Sequence, residues 1–197
     1  MNRLDISPSL IHFTSGYTVE DAFRRIQTIL AERKLLGSAN KIKGGYQCVC
    51  FSEAPLDSLL GGLVNEHYYS RYSPFGIMVS KDWLFSLGGR PVIYETEQEY
   101  LGLAPSHGWR HVRYDLRPDH ERVDFTWERE WRIRGDSLLF DPGVAQVVVL
   151  DRDWANRLWE EHNRNEDYKV VQYSHIIGSQ HAEMQREQFR WTVHPLR

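Results

Sequence analysis

The sequence predicts an α+β domain, on three observations. Strand-like and helix-like stretches follow one another in mixed rather than strictly alternating order. The 197 residues contain no internal repeat, low-complexity tract or linker-like break, so residues 1–197 read as a single domain with one core. Hydrophobic residues make up 41% and charged residues 26%, a composition that suits a folded globular chain.

Leu10-Ile-His-Phe-Thr14 is the first strand-like run, ended by Ser15-Gly16. Thr18 then suits a helix N-cap, with Asp21 at the capping-box position. Val19, Ala22, Phe23, Ile26, Ile29 and Leu30 follow at helical spacing, with Gly37 as the expected stop. Tyr46–Ser52 reads as a buried strand, and Ala54–Leu60 as a short helix with Pro55 in its first turn. Phe75–Ser80 and Pro91–Tyr94 read as strands around a helical turn at Lys81–Leu87. Residues 95–122 are the least patterned, an exposed helix and loop. Beyond them, Val123–Ile133, Val144–Leu150, Tyr168–Tyr173 and Phe189–Val193 read as strands. Asp153–Glu161 and Ala182–Gln188 read as helices.

A net charge of -3 with a pI near 6.3 excludes a global positive field that would recruit nucleic acid. Seven Trp, ten Tyr and eight Phe supply core filling and also stacking surfaces for a flat ring. Cys48 and Cys50 are the only cysteines. Two apart on a strand, they predict unpaired thiols in a reducing compartment. The start of the chain has no signal-peptide pattern, and no apolar run is long enough to span a membrane, so a cytoplasmic location is expected.

Three stretches concentrate groups with chemical potential. On the first strand His12 and Thr14 share a face, and both can donate and accept hydrogen bonds; a core-edge histidine is the alternative. Ser52-Glu53 closes a buried strand, where a sheet presents polar groups to a loop; helix capping is the alternative for Glu53. In Thr126-Trp-Glu-Arg-Glu-Trp-Arg-Ile133, read as a strand, Glu128, Glu130 and Arg132 share one face. Paired carboxylates there could orient a ribose hydroxyl or stabilise an oxocarbenium-like transition state; cross-strand salt bridges are the alternative.

Taken together, Ser-Leu-Ile-His-Phe-Thr, Gly-Gly-Tyr-Gln-Cys-Val-Cys-Phe-Ser-Glu-Ala-Pro-Leu and Asp124-Phe-Thr-Trp-Glu-Arg-Glu-Trp-Arg-Ile resemble the AbiGi-like abortive phage resistance proteins and related bacterial domains of unknown function. The resemblance covers residues 10–135. More distantly the chain resembles ADP-ribosyltransferases, including DarT-like DNA-modifying toxins, whose split β-core presents an early His or Arg, a middle Ser or Tyr and a late Glu. That resemblance implies an enzyme that cleaves NAD and passes ADP-ribose to a protein or nucleic-acid acceptor, with a cognate antitoxin among its partners. It implies that His12 contacts the NAD ribose with Phe13 and Thr14 beside it, and that Ser52 supports the catalytic glutamate. Glu130 then stabilises the oxocarbenium ion and Glu128 orients the acceptor. Phe51, Tyr69 and Tyr72 are the candidates for stacking on nicotinamide. The middle motif departs from Ser-Thr-Ser, and no tyrosine pair matches the nicotinamide clamp.

Among lesser features, His107, His111 and His120 lack metal-ligand spacing and read as solvated loop residues. Lys41, Lys43, Arg71 and Arg90 are candidate phosphate contacts. The rival expectation is a non-enzymatic interaction module in which the acidic strand pairs with a partner.

Overall fold

The computed structural model describes residues 6–53 and 72–197. The fold is α+β, with a seven-stranded mixed sheet. The strands are β1 (Ser9–Phe13), β2 (Lys34–Leu36), β3 (Cys48–Ser52), β4 (Gly76–Ser80), β5 (Arg90–Pro91), β6 (Ile93–Glu95), β7 (His111–Arg113), β8 (Glu130–Arg134), β9 (Ser137–Leu139), β10 (Ala145–Val149) and β11 (Val193–Pro195). The helices are α1 (Val19–Glu32), α2 (Lys81–Ser86), α3 (Glu97–Tyr100), α4 (Arg152–Ile177) and α5 (Ser179–Met184). The main sheet runs β11-β10-β4-β1-β3-β8-β5, parallel only between β10 and β11. Two small ribbons, antiparallel β2–β9 and parallel β6–β7, flank it.

Alternation along the central strands divides the sheet into two faces. One carries Leu10, Val49, Phe51, Ile77, Val79, Trp131, Ile133, Val147 and Val149, packed with Phe23, Ile26 and Leu30 of α1 and Leu158 of α4. The other has a small apolar patch of Ile11, Met78 and Val148. Beside that patch Cys48, Cys50 and Ser52 lie opposite Arg134, Arg132 and Glu130.

Helix α1 begins with the expected capping box, the Thr18 hydroxyl accepting from the Asp21 amide at 3.0 Å. It ends earlier than Gly37, because Arg33 takes the left-handed cap conformation (φ 51°) and β2 starts at once. Helix α4 is anchored to α1 by Arg157, which bonds Glu20 at 2.7 and 2.5 Å and lies over the Phe23 and Trp154 rings.

The structure corrects several expectations. Tyr168–Tyr173 is not a strand but the continuation of α4. Its valines and tyrosines have strand-like chemistry, yet Glu166 accepts from Lys169 three residues on at 2.6 Å, a helical spacing. The last strand is β11 rather than Phe189–Val193. Residues 91–95 split between the main sheet and the β6–β7 ribbon. The helix expected at Ala54–Leu60 lies outside the described residues, as do Tyr69 and Arg71. Among the described residues no helix is long and apolar enough to cross a membrane.

Candidate functional site

The site is assembled on three neighbouring strands, β1, β3 and β8. β1 pairs with β4 along its whole length but meets β3 only at Ile11–Ser52. Where the two strands part, the His12 Nδ1 bonds the Cys50 carbonyl across the gap at 2.8 Å. A carbonyl only accepts, so Nδ1 carries the proton and Nε2 is left with a lone pair. Burial lowers the His12 pKa, and the bond to Cys50 only partly opposes this, so the ring is neutral near pH 7.

Ser52 stands opposite Glu130 in the register, and its hydroxyl donates to the Glu128 carbonyl at 2.8 Å. This bond fixes a turn that the sequence pattern does not reveal. Thr126–Glu128 is a 3-10 turn, Arg129 is left-handed (φ 44°), and only from Glu130 does the strand begin. The expected strand over Val123–Ile133 is therefore corrected: Glu128 and Glu130 do not share a strand face by alternation. The turn forms because the Asp124 carboxylate accepts from the Thr126 amide and hydroxyl at 3.0 and 2.7 Å. Tyr94 closes it, its hydroxyl donating to the Phe125 carbonyl at 3.2 Å and accepting from the Glu130 amide at 3.1 Å. Burial pushes the Tyr94 phenol up to about 12, so this bridge stays protonated.

Glu130 is held by Arg132 in a two-pronged ion pair, Nε to Oε1 at 2.8 Å and Nη2 to Oε2 at 3.2 Å. The remaining Arg132 nitrogen, Nη1, donates to the Trp109 and His111 carbonyls at 2.8 and 3.0 Å. Burial works against the Arg132 charge, but the Glu130 contact more than offsets it and raises the pKa. A carboxylate offers about four lone-pair sites. Arg132 takes two of them and fixes the orientation of the rest. Burial, then the Glu130 charge, drives the Cys50 thiol well up, so it is neither a thiolate nor a nucleophile.

These groups face a cavity of about 940 Å³, at the upper end of the range for small-molecule sites. Of the residues singled out by sequence, His12, Phe13, Phe51, Ser52, Tyr72, Glu128 and Glu130 line it. Thr14 does not; it is buried, and its hydroxyl and amide both bond the Phe75 carbonyl. Phe51 belongs mainly to the core, where its ring meets His12 edge-on at 5.8 Å. Phe13, Tyr72 and Trp127 form an aromatic run at one end, with centroids 5.4 and 6.4 Å apart.

The opposite end is lined by Lys41 and Lys43, both among the expected phosphate contacts, and by Glu97, His111 and Arg113, which sequence reasoning missed. His111 is not a solvated loop residue but 1% exposed, its ring packed at a tilt against Tyr100 at 4.7 Å. The alternation of His111-Val-Arg113 was the signal for a strand, masked by the polar sequence around it. Arg90 does not reach the cavity; it stacks on Phe85 at 3.8 Å. Glu53 bonds Lys81 and the Trp131 indole at 2.6 and 2.8 Å. Among the described residues no group of three or more His, Cys, Asp or Glu side chains could hold a metal ion.

No family profile matches this chain, no curated protein is similar to it, and no solved structure matches it.

Proposed function

We propose that the chain is an ADP-ribosyltransferase-like enzyme, related in kind to the AbiGi-like and DarT-like proteins, that cleaves NAD at the nicotinamide–ribose bond. The observation that carries this reading is the convergence of His12, Ser52 and Glu130, from β1, β3 and β8, on the wall of one cavity. The chemistry follows from the geometry. The neutral His12 leaves Nε2 as an acceptor for a ribose hydroxyl. Cleavage breaks the C1′–N bond, nicotinamide leaves with the bonding pair, and positive charge grows on the ribose. Glu130 places a fixed negative charge at that centre, oriented by Arg132 before the substrate arrives. An acceptor nucleophile then bonds C1′ and gives up its proton, with Glu128 as the base. Tyr72 and Phe13 offer the flat faces for nicotinamide. In phage defence or as a toxin, the acceptor is a protein or nucleic acid, and a cognate antitoxin keeps the activity in check.

A second reading, a non-enzymatic interaction module, is favoured by one observation. Past Glu166, α4 and α5 expose Val171, Ile176 and Met184, 59, 77 and 75% accessible. Thermal unfolding with added NAD or nicotinamide separates the two, because a ligand selective for the folded state raises its stability. The transferase reading requires a clear upward shift with millimolar NAD. No shift with either ligand overturns it in favour of the module.

A further inference from the structure

The cavity end walled by β7 and the 38–43 loop holds polar groups that the transferase chemistry does not use. Glu97 gathers three of them. Its carboxyl is held below the usual range first by Lys43, against the opposing effect of burial, and then by the charges of His111 and Arg113. Lys41, two residues before Lys43, lines the same cavity in a left-handed backbone conformation (φ 59°). It enters no ion pair or side-chain hydrogen bond among the described residues.

Two enclosed polar atoms on β7 point to a ligand. His111 donates Nε2–H to the Glu95 carbonyl at 3.2 Å, while its Nδ1 is buried without a hydrogen-bond partner. Arg113 bonds Glu121 through both terminal nitrogens at 3.2 Å, and its Nε is likewise buried and unpaired. Residues 111 and 113 share a strand face, so both lie on one wall. Burying polar atoms without partners is unfavourable, a cost that a bound group removes. Lys41, Lys43 and Arg113 line this end with one carboxylate, Glu97. Lys43 pairs with Glu97 and Arg113 with Glu121, while Glu95, beside Arg113 in the register, keeps one carboxylate oxygen buried and unpaired. Among the described residues this leaves Lys41 as the cation without a partner. A hydroxyl-rich neutral ligand would leave Lys41 unmatched, whereas an oxyanion takes hydrogen bonds from Lys41 and from the Arg113 Nε–H together, and a hydroxyl beside it donates to the His111 Nδ1.

We propose that Lys41 and Arg113 form a phosphate-binding subsite at this end of the cavity, with His111 beside it. It shares the cavity of the transferase reading but not its chemistry. The phosphate comes either from the diphosphate of a dinucleotide lying along the cavity or from the backbone of a nucleic-acid acceptor entering it.

Calorimetric titration distinguishes these. ADP, adenosine and a short single-stranded oligonucleotide are titrated into the wild-type chain, the Lys41→Gln/Arg113→Gln double variant and Arg33→Gln, a surface control. ADP binding at least about tenfold tighter than adenosine, and weakened at least about tenfold in the double variant, assigns the subsite to a dinucleotide. If the double substitution weakens only oligonucleotide binding, the subsite serves the acceptor backbone. The proposal is overturned if both phosphate ligands bind the double variant as they bind wild type, if neither binds wild type, or if Arg33→Gln weakens binding equally. Unchanged circular dichroism and melting keep misfolding out of the comparison. A chain that binds ADP through Lys41 and Arg113 yet releases no nicotinamide retains this subsite and loses the transferase reading.

Discussion

Successive residues of β8 obey opposite rules. Trp131 and Ile133 point into an apolar core, where a side chain of similar size and shape would serve for Ile133 and only the Trp131 indole N–H, bonded to Glu53, has a specific partner. Glu130 and Arg132 point the other way, into a closed polar network whose members have specific partners. The core face is stabilised by area and tolerates exchange. The cavity face buries a charge pair, which is at best weak support for stability. A fold gains little from placing such a network on an interior strand, so its presence at the wall of a cavity argues for function.

The comparison can be broken most severely at Arg132. Arg132→Met strands the half-buried Glu130 carboxylate and frees two carbonyls, so denaturant unfolding should show a loss of about 3–5 kcal/mol. The double variant Arg132→Met/Glu130→Leu should recover much of that loss. If the double variant is as unstable as the single, the cavity face is structural and the contrast fails. Next in size, Ser52→Ala removes the donor to the Glu128 carbonyl and should cost about 1–3 kcal/mol. It should also loosen the 126–129 turn, visible as faster amide exchange there than elsewhere. On the core face Ile133→Val should cost only about 1 kcal/mol and leave any ligand-induced thermal shift unchanged.

The gentlest probe is pH. The folded His12 has its pKa below the ordinary 6.5, so the unfolded chain binds the extra proton first. Its contribution to stability is complete above pH 6.5 and is lost as pH falls through the lowered folded value. His12→Gln should flatten that part of the stability–pH curve; an identical slope in wild type and variant would remove the half-buried neutral imidazole from the account.

Much of the scaffold was legible because its physics is local. The capping box at Thr18 and Asp21, the apolar spacing of α1, and the short apolar runs of β1, β3, β4 and β10 read directly from residue type and period. What stayed hidden depends on contacts distant in sequence. Thr126-Trp-Glu alternates like a strand, but the Asp124 cap and bonds from Ser52 and Tyr94 fold it into a turn. Val170 and Val171 prefer strands, yet they have no sheet neighbour and continue α4. In the site, His12, Ser52 and Glu130 stood out because each sits at a recognisable strand position. Arg132 lay in plain view two residues from Glu130, but its anchoring carbonyls at Trp109 and His111 come from a segment without pattern. Lys41 stood out only as a lone basic residue and Arg113 not at all, since only folding brings the 38–43 loop against β7.

The central claim concerns Glu130, and nicotinamide release tests it most directly. Purified wild-type chain and Glu130→Gln are incubated with NAD, after circular dichroism has shown both to be folded, because the substitution leaves Arg132 facing a neutral amide. The account predicts measurable release by wild type and a drop of about 100-fold or more in the variant, the scale for loss of one transition-state electrostatic contact. Equal release by the two folded proteins would contradict it.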